Sequence, residues 1–314
     1  LLHSAADPDR PVLIGNNSLG IVSHKAGFDS LFIPREKLPR AEQGLGSVAL
    51  ISQSGAFLLT QLGKLDFAAP DYQLSVGNQI DARVSHFVEA LVEEPDITTF
   101  ALYIEGLKAG DGVPLAQAIK RLRAAGKDAI VYKAGRSNLG QAATMGHTAS
   151  VAGDFRIFAD MLRDAGAIVV DTFEAFSELT RLSATFGLRD YRYEGIRVAM
   201  ISNAGYETVG MADVYRGEGY ALEAANFSAD TNGRIAEALA AARIDKLVNV
   251  SNPLDLTPMA GDEVHARCIE AILEDPGVDL GVFGMVPFTP TVQSLPKGIS
   301  ERDVFDAPKG YCAR

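Results

Sequence analysis

The sequence predicts an α/β protein made of two open sheets of parallel strands, and three observations support this prediction. Short apolar segments alternate with longer segments of helical apolar spacing along most of the chain. Small or polar residues follow each apolar segment, as in the strand-to-helix turns of parallel sheets. One such unit occurs twice, as Val-Ala-Leu-Ile-Ser-Gln-Ser-Gly-Ala at 48–56 and as Val-Ala-Met-Ile-Ser-Asn-Ala-Gly-Tyr at 198–206. We interpret this similarity as an internal duplication of one fold.

The first unit alternates strongly between the two kinds of segment. Strands are predicted at 48–51, 72–76, 100–104, 129–132 and 167–170. Helices are predicted at 56–65, 84–92, 115–125, 155–165 and 173–186. Residues 135–153 are rich in Gly, Ser and Thr and predict a long loop. Five strands that alternate with helices through right-handed crossovers indicate a flavodoxin-like doubly wound sheet.

The second unit restarts the same scheme after a polar stretch. It has predicted strands at 197–201 and 280–285 and predicted helices at 207–216, 235–242 and 264–273. The expected domain organisation is a connector at 1–46, a first flavodoxin-like domain at 47–190, a second at 191–290, and a tail or linker at 291–314.

The composition restricts the classes of partner. The 314 residues carry a net charge of −11, from 29 Lys and Arg against 40 Asp and Glu. Nucleic acids and anionic membrane surfaces require a basic face, so this balance argues against both. No apolar run is long enough to predict a transmembrane helix. Cys268 and Cys312 have no metal-type spacing, which predicts free thiols and a cytoplasmic location.

A turn rich in small residues follows the first strand of the first unit. Ser52, Gln53, Ser54 and Gly55 allow backbone N–H groups to point outward. The helix that follows adds its unpaired N-terminal donors and the positive end of its dipole. Ser52, Ser54 and Gly55 are therefore candidates for binding a phosphate group. The alternative is that Ser54 only caps the helix.

A histidine and a glutamate are the candidate catalytic residues. His147 lies between Gly146 and Thr148 in the predicted loop, after the carboxyl end of a strand, where open α/β sheets bind ligands. A neutral imidazole attacks phosphorus without prior deprotonation, and a second helix N-terminus follows the loop. Glu105 ends another strand, where its carboxylate could hold one ring nitrogen and leave the other free. The alternatives are a structural or solvated histidine and a carboxylate at a helix cap or rim.

An ordered set of motifs from about residue 12 to 286 resembles the NDP-forming acyl-CoA synthetases, relatives of the succinyl-CoA synthetase α subunit and of ADP-forming acetyl-CoA synthetase. The motifs are Gly15-Asn16-Asn17-Ser18-Leu19-Gly20, Ile51-Ser52-Gln53-Ser54-Gly55, Ser75-Val76-Gly77-Asn78-Gln79, Tyr103-Ile104-Glu105-Gly106, Lys133-Ala134-Gly135-Arg136-Ser137 and His147-Thr148-Ala149-Ser150-Val151-Ala152-Gly153.

This resemblance implies a three-stage reaction and assigns roles to residues. Acyl-CoA and phosphate give an acyl phosphate, which phosphorylates a histidine, and the phosphohistidine then phosphorylates ADP or GDP. By position, His147 matches the phosphohistidine of the family and Glu105 matches the carboxylate that steadies it. The implied phosphate-binding residues are Ser52, Ser54, Gly55, Gly146 and Thr148, and the implied substrate-pocket residues are Leu59, Gly77 and Asn78.

The resemblance also implies partners. CoA is expected as a substrate, and ATP or ADP with Mg²⁺ is expected on an ATP-grasp domain or subunit. Neither that domain nor a CoA-binding domain is evident in the sequence, so we expect residues 1–46 to connect from a missing N-terminal CoA-binding domain and the given chain to be an incomplete enzyme. A homodimer or heterotetramer that acts on a small carboxylic acid is expected. Leu59 stands where succinate enzymes tend to have a tyrosine, which favours a different acid.

Two alternatives to this function remain at the level of sequence. One is a non-catalytic or regulatory relative that uses the same fold for binding. The other is a relative that transfers acyl or carbamoyl groups without a phosphohistidine. The presence of both His147 and Glu105 favours the phosphohistidine mechanism over these two.

Overall fold

The computed structural model describes residues 11–38, 47–65, 69–147, 154–186, 195–217, 220–287, 289 and 291–292, without the side chains of 143–147, 220 and 221. The chain divides into two compact units, Leu1–Asp190 and Tyr191–Arg314. Each unit is an α/β arrangement of mainly parallel strands with flanking helices, as the sequence predicts.

The first unit contains the elements β1 to β7 and α1 to α6. Its strands are β1 (Ile21–Ser23), β2 (Phe28–Asp29), β3 (Val48–Ser52), β4 (Tyr72–Ser75), β5 (Thr99–Ile104), β6 (Asp128–Lys133) and β7 (Ile168–Val170). Its helices are α1 (Gly55–Lys64), α2 (Val84–Leu91), α3 (Gly112–Ala124), α4 (Asn138–His147), α5 (Phe155–Asp164) and α6 (Phe173–Phe186).

These strands form a sheet with the order β2-β1-β4-β3-β5-β6-β7 among the described residues. Strands β3 to β7 are parallel, and β1 pairs antiparallel with both β2 and β4. Counted along the chain, the five parallel strands lie in the order 2-1-3-4-5, which is the flavodoxin-like order. The carboxyl ends of β3, β4 and β5 therefore lie side by side, at the position where such sheets bind ligands.

Both faces of this sheet are covered by helices. Residues of β3 alternate between them: Ala49 and Ile51 pack towards α2, α3 and α5, whereas Val48 and Leu50 pack towards α1 and α6. Strand β3 is buried at every residue. Continuous apolar strands are expected where both faces are covered, because each face then needs its own hydrophobic side chains.

One part of the first unit differs from the sequence expectation. Residues 138–147 form α4, so the predicted loop at 135–153 contains a helix that ends at His147. Gly and Thr favour a loop in this segment, but Leu, Gln, Ala and Met in the same segment favour a helix and outweigh them. The apolar run at 12–14 is not a strand, and the first strand of the described residues begins at Ile21.

The second unit contains the remaining elements. Its strands are β8 (Arg197–Ser202), β9 (Arg216–Gly217), β10 (Tyr220–Ala221), β11 (Glu223–Ala224), β12 (Leu254–Asp255) and β13 (Leu280–Phe283), and its helices are α7 (Gly205–Val214), α8 (Ala229–Ala241) and α9 (Asp262–Leu273). Strand β8 pairs in parallel with β11, β12 and β13, and β9 pairs antiparallel with β10.

Polar side chains fix the ends of two elements in the second unit. Just before β12, Asn252 accepts from the N–H of Met200 at 2.9 Å and donates to the carbonyl of Val198 at 2.8 Å. Helix α8 is capped by Ser228, whose hydroxyl accepts from the N–H of Thr231 at 3.2 Å, and Asp230 lies in its first turn.

Candidate functional site

The candidate site lies at the carboxyl ends of β3, β4 and β5. In the parallel register, Ser52 at the end of β3 pairs with Ser75 at the end of β4 and with Tyr103 near the end of β5. Glu105 follows β5 directly and is 6% exposed. The fold therefore brings the predicted phosphate turn and the predicted catalytic glutamate onto neighbouring strands.

The turn after β3 starts helix α1 with its own hydroxyl groups. Ser52 Oγ accepts from the N–H of Ser54 at 3.2 Å, and Ser54 Oγ accepts from the N–H of Phe57 at 3.3 Å. Ser54 is thus the N-cap of α1. Of the donors at a helix start, those of Gly55 and Ala56 remain for another acceptor. Capping and anion binding are therefore compatible at this turn.

Glu105 is buried against an aromatic side chain. The hydroxyl of Tyr103 donates to Glu105 Oε1 at 3.4 Å. Burial raises the pKa of the Tyr103 hydroxyl, and the nearby charges of Glu105 and Tyr132 raise this pKa further. Tyr103 therefore stays protonated as a donor at neutral pH. Its ring stacks on that of Phe57 from helix α1, with 4.1 Å between centroids.

The backbone of Glu105 and Gly106 is held by side chains that the sequence does not assign to this role. Gln53 Oε1 accepts from the N–H of Glu105 at 2.5 Å and from that of Gly106 at 3.0 Å, and Gln53 Nε2 donates to the carbonyl of Gly106 at 2.6 Å. Gln79 Nε2 donates to the same carbonyl at 3.2 Å. Lys133 Nζ donates to the carbonyl of Glu105 at 2.8 Å. The one signal in the sequence is the position of Gln53 between two serines.

Lys133 ends β6 and Arg136 lies before α4, and both of these positive charges have partners within the first unit. Lys133 is buried, and its ammonium group also donates to the carbonyl of Ala134. Burial lowers its pKa, which the negative charge of Glu105 partly offsets. Arg136 forms an exposed ion pair with Asp171 at 3.1 Å.

The substrate-pocket candidates occupy two places in the first unit. Gly77 and Asn78 follow β4, and the N–H of Asn78 donates to the carbonyl of Asn16 at 2.9 Å. A Cβ atom on Gly77 would lie 2.2 Å from that same carbonyl oxygen, so the close approach requires glycine. Leu59 is half-buried in the second turn of α1.

The segment before β1 packs against both turns. Ser18, at the position where the resembled family commonly has cysteine, donates to the carbonyl of Ser75 at 2.6 Å and accepts from the N–H of Gly20 at 3.1 Å. A Cβ atom on Gly55 would lie 2.5 Å from Leu19 Cγ. This serine therefore has a structural role, and glycine at the start of α1 allows the segment to approach.

The histidine loop is described only in part. Helix α4 ends at His147, but the surroundings of Gly146, the side chain of His147 and the whole of Thr148 lie outside what the structure describes. The next helix, α5, is capped by Asp154, whose Oδ1 accepts from the N–H of Arg156 at 2.7 Å and of Ile157 at 3.3 Å. The N-terminus of α5 is the second helix start that the sequence analysis places after the histidine loop. It therefore already has a negatively charged N-cap.

A known family of domains matches most of the first unit. Residues 45–183 match the family described as the succinyl-CoA ligase like flavodoxin domain. The first unit contains a succinyl-CoA ligase-like flavodoxin domain. This match covers the strands and turns that carry Ser52, Ser54, Gly77 and Glu105, and it confirms the resemblance to NDP-forming acyl-CoA synthetases.

Longer relatives extend the similarity beyond this domain. The chain is 31% identical over 271 residues to the acetate–CoA ligase [ADP-forming] II subunit alpha of Pyrococcus furiosus, covering 85% of this chain and 54% of that one. It is 29% identical over 275 residues to the acetate–CoA ligase [ADP-forming] II of Archaeoglobus fulgidus, covering 85% and 38%. The chain thus matches the alpha-subunit part of ADP-forming ligases and spans about half or less of these relatives.

A solved structure shares the fold. The dinucleotide-forming acetyl-coenzyme A synthetase 1 of Ca. Korarchaeum cryptofilum, in complex with phosphate and ADP, superposes with a TM-score of 0.71 at 24% identity. The superposition covers 87% of this chain and 56% of that one. It confirms the predicted fold class. No helix of the described residues is both long and apolar enough to cross a membrane.

Proposed function

We propose that this chain is a component of an NDP-forming acid–CoA ligase that transfers a phosphoryl group between an acyl phosphate and a nucleotide through phospho-His147. The observation that carries the proposal is the juxtaposition of a buried carboxylate, Glu105, with the N-terminal donors of α1 at one edge of a succinyl-CoA ligase-like sheet. The relatives that are named ADP-forming acetate–CoA ligases support the reaction class.

The chemistry needs a nucleophile, a group that fixes it and donors for the phosphoryl oxygens. A ring nitrogen of His147 attacks phosphorus of the acyl phosphate, the P–O bond to the acyl group breaks, and the carboxylic acid leaves as its carboxylate. The second ring nitrogen keeps its proton and donates it in a hydrogen bond to Glu105. An oxygen of the nucleotide diphosphate then attacks the phosphorus, and the imidazole is regenerated.

The α1 start suits the phosphoryl oxygens. The donors of Gly55 and Ala56, together with the positive end of the α1 dipole, favour a negative group at this point. Because phosphoryl transfer depends mainly on positioning and charge stabilisation, backbone donors suffice and no acid or base on α1 is required. Ser54 caps α1 and so holds its first turn in place, which fixes the direction of these N–H donors.

The partners proposed from the family resemblance supply the other stages. CoA enters as a substrate on a CoA-binding domain, and ATP or ADP with Mg²⁺ binds an ATP-grasp domain or subunit. The described residues contain no group of three or more His, Cys, Asp or Glu placed to hold a metal ion. By the same resemblance, we propose that Mg²⁺ binds with the nucleotide on that partner and that the substrate is a small carboxylic acid other than succinate.

The test uses acetyl phosphate labelled with ³²P, incubated with the full chain. We expect label that survives alkali and is lost in acid, as phosphohistidine requires, and we expect His147→Asn to abolish it. His86→Asn is the matched control, since His86 is exposed on α2, where its Nδ1 accepts from the N–H of Arg83 at 3.3 Å. Absence of label in the wild-type chain, or label that persists in His147→Asn, would overturn the proposal.

A further inference from the structure

The two residues after β5 leave the sheet while still buried. The last ladder pair between β5 and β6 joins Ile104 to Lys133, so Glu105 and Gly106 lie beyond the ladder. Their four backbone polar groups must nevertheless be satisfied, because a buried N–H or C=O that lacks a hydrogen bond costs about 1–3 kcal/mol. Side chains from three other segments contact every one of these groups.

Gln53 provides most of these contacts. Its amide group contacts three of the four groups, namely both N–H groups and the carbonyl of Gly106. Gln79 also donates to the carbonyl of Gly106, and Lys133 donates to the carbonyl of Glu105. All three side chains belong to residues that are at most 6% exposed. We call Gln53, Gln79 and Lys133 the Glu105 clamp.

The position of Gln53 links the clamp to the phosphate turn. Gln53 stands between Ser52 and Ser54, so the residue that holds the backbone of Glu105 is part of the turn that starts α1. Its own N–H donates to the carbonyl of Tyr103 at 3.1 Å. The turn and the glutamate are thereby fixed to one another by both backbone and side-chain hydrogen bonds.

The second unit contains the same device at the corresponding turn. Asn203, after β8, accepts from the N–H of Val286 through Oδ1 at 2.8 Å and donates to the carbonyl of Val286 through Nδ2 at 3.1 Å. Val286 follows β13, which pairs with β8 as β5 pairs with β3. An amide side chain that fastens the segment after the neighbouring strand is therefore a feature of both units. In the first unit that segment carries an acid.

We propose that Gln53 is a positioning residue for phosphoryl transfer, which sets the place of the Glu105 carboxylate relative to the donors of α1. This inference rests on the proposed function, because it acts through Glu105. Glu105 can steady an imidazole only from a fixed position, and removing an outer residue of this kind typically lowers activity about 10- to 100-fold.

The test compares Gln53→Met with Gln53→Glu in the full chain, using acetyl phosphate as phosphoryl donor between pH 6 and pH 8. Methionine removes the clamp at every pH. The carboxylic acid that Gln53→Glu introduces is isosteric with glutamine when protonated and can donate to Gly106, whereas its ionised form would repel that carbonyl and Glu105. We expect Gln53→Met to lower the phosphorylation rate about 10- to 100-fold at all pH values. We expect the phosphorylation rate of Gln53→Glu, divided by that of the wild type at the same pH, to rise as the pH falls.

A matched control separates this role from general stability. Gln61 is also a fully buried amide, and its Oε1 accepts from Ser177 Oγ at 2.9 Å in a contact between α1 and α6. Gln61→Met should lower the melting temperature without changing the pH profile of phosphorylation. A Gln53→Met rate within about twofold of wild type, or a Gln53→Glu ratio that does not depend on pH, would overturn the positioning role.

Amide hydrogen exchange tests the clamp without relying on activity. The N–H groups of Glu105 and Gly106 should exchange at least about tenfold faster in Gln53→Met, whereas those within β5 should change little. Unchanged exchange at both amides would overturn the clamp. If the wild-type chain takes no label from acetyl phosphate while exchange changes as expected, the proposed function fails and the clamp stands as a structural device.

Discussion

The hydroxyl of Tyr103 donates to the carboxylate of Glu105 across a 3.4 Å contact on one face of β5. Since the two residues are separated by one position along the extended chain, their side chains point to the same face. The Tyr103 ring is fixed in turn by stacking on Phe57 and, at 5.7 Å and 2° between planes, on Tyr132. The carboxylate therefore contacts a rigid aromatic group as well as having its backbone held by the clamp.

Replacing Tyr103 with Phe should test this contact without disturbing the stack. The ring stays between its neighbours, so we expect the free energy of unfolding to change by less than about 1 kcal/mol. The phosphorylation rate from acetyl phosphate should fall about 2- to 10-fold, because one donor to Glu105 is lost. Tyr132→Phe is the control, as it removes a hydroxyl from the same stack away from Glu105. Equal rates for both variants and wild type would show that the contact is not used.

The charge of Glu105 is the subject of a second prediction. Glu105→Gln keeps the shape of the side chain and keeps the hydrogen bonds of the clamp described above, since these are made to the backbone. We expect the variant to fold with a melting temperature close to wild type and to take up label from acetyl phosphate at least about tenfold more slowly. Two quantities are measured: the initial rate of acid-labile phosphorylation and the melting temperature from thermal unfolding. A rate equal to wild type would remove Glu105 from the mechanism.

Ser54 combines two roles that substitutions can separate. Ser54→Ala removes the cap on the N–H of Phe57 and should destabilise the chain by about 1 kcal/mol. Ser54→Asp keeps a capping oxygen and suits the helix dipole, but it places a negative charge where the phosphoryl oxygens would bind. We therefore expect Ser54→Asp to retain stability and to lose at least about tenfold in phosphorylation rate.

The control for this pair is a neutral cap at the same position. Ser54→Asn keeps a capping oxygen but adds no charge, so it should keep both stability and phosphorylation. Thermal unfolding and the initial rate of labelling are measured for all three variants. Anion binding at the α1 start would be excluded if Ser54→Asp were phosphorylated as fast as Ser54→Asn.

Much of the fold is predictable because buried parallel strands have a simple sequence signature. Strands β3, β5 and β6 each contain a continuous apolar run, and each lies within two residues of its predicted position. Strand β12 is not predictable, since two residues give no periodicity. Helix α4 is not predicted because Gly and Thr in this segment are typical of a loop. The helix-forming residues of the same segment outweigh them in the structure.

The candidate site is predictable only in its main residues. Ser54 and Glu105 can be placed at neighbouring strand ends, because the carboxyl ends of parallel strands share one edge of a sheet. The clamp cannot be predicted. A sequence does not show where a buried backbone leaves its ladder, and therefore does not show which polar side chains must take over the hydrogen bonds of Glu105 and Gly106.

Replacing two glycines of the first unit with alanine should change the free energy of unfolding in opposite directions. Gly77 has φ of +61°, and a Cβ atom there would collide with the carbonyl oxygen of Asn16 at 2.2 Å. Gly77→Ala should therefore destabilise the chain by about 2–4 kcal/mol. Gly63 lies exposed in α1, and a Cβ atom added there would have no heavy atom within 4 Å, so Gly63→Ala should stabilise by about 0.5–1 kcal/mol. Urea unfolding measures both, and equal signs would contradict the close approach.

The second unit should lose stability in acid through Asp275. This carboxylate follows α9 and accepts from the N–H of Ser228 at 2.8 Å and of Gly277 at 2.7 Å, which ties the start of α8 to the end of α9. Burial alone would raise its pKa, but the hydrogen bonds from Thr231, Ser228 and Gly277 outweigh burial and lower the pKa from 3.8 to about 2. A lowered pKa in the folded state stabilises the fold above pH 3.8, and this contribution is lost as the pH falls towards 2.

Asp275→Asn should therefore be less stable than wild type at pH 7, and the difference should shrink between about pH 4 and pH 2, as Asn cannot ionise. The measurement is the urea midpoint of unfolding at pH 7, pH 4 and pH 2.5. Asp245→Asn, which replaces an exposed carboxylate on the same unit, is the control and should follow the wild-type curve. A difference between Asp275→Asn and wild type that stays constant across this range would mean that the carboxylate is not held in its charged form by these hydrogen bonds.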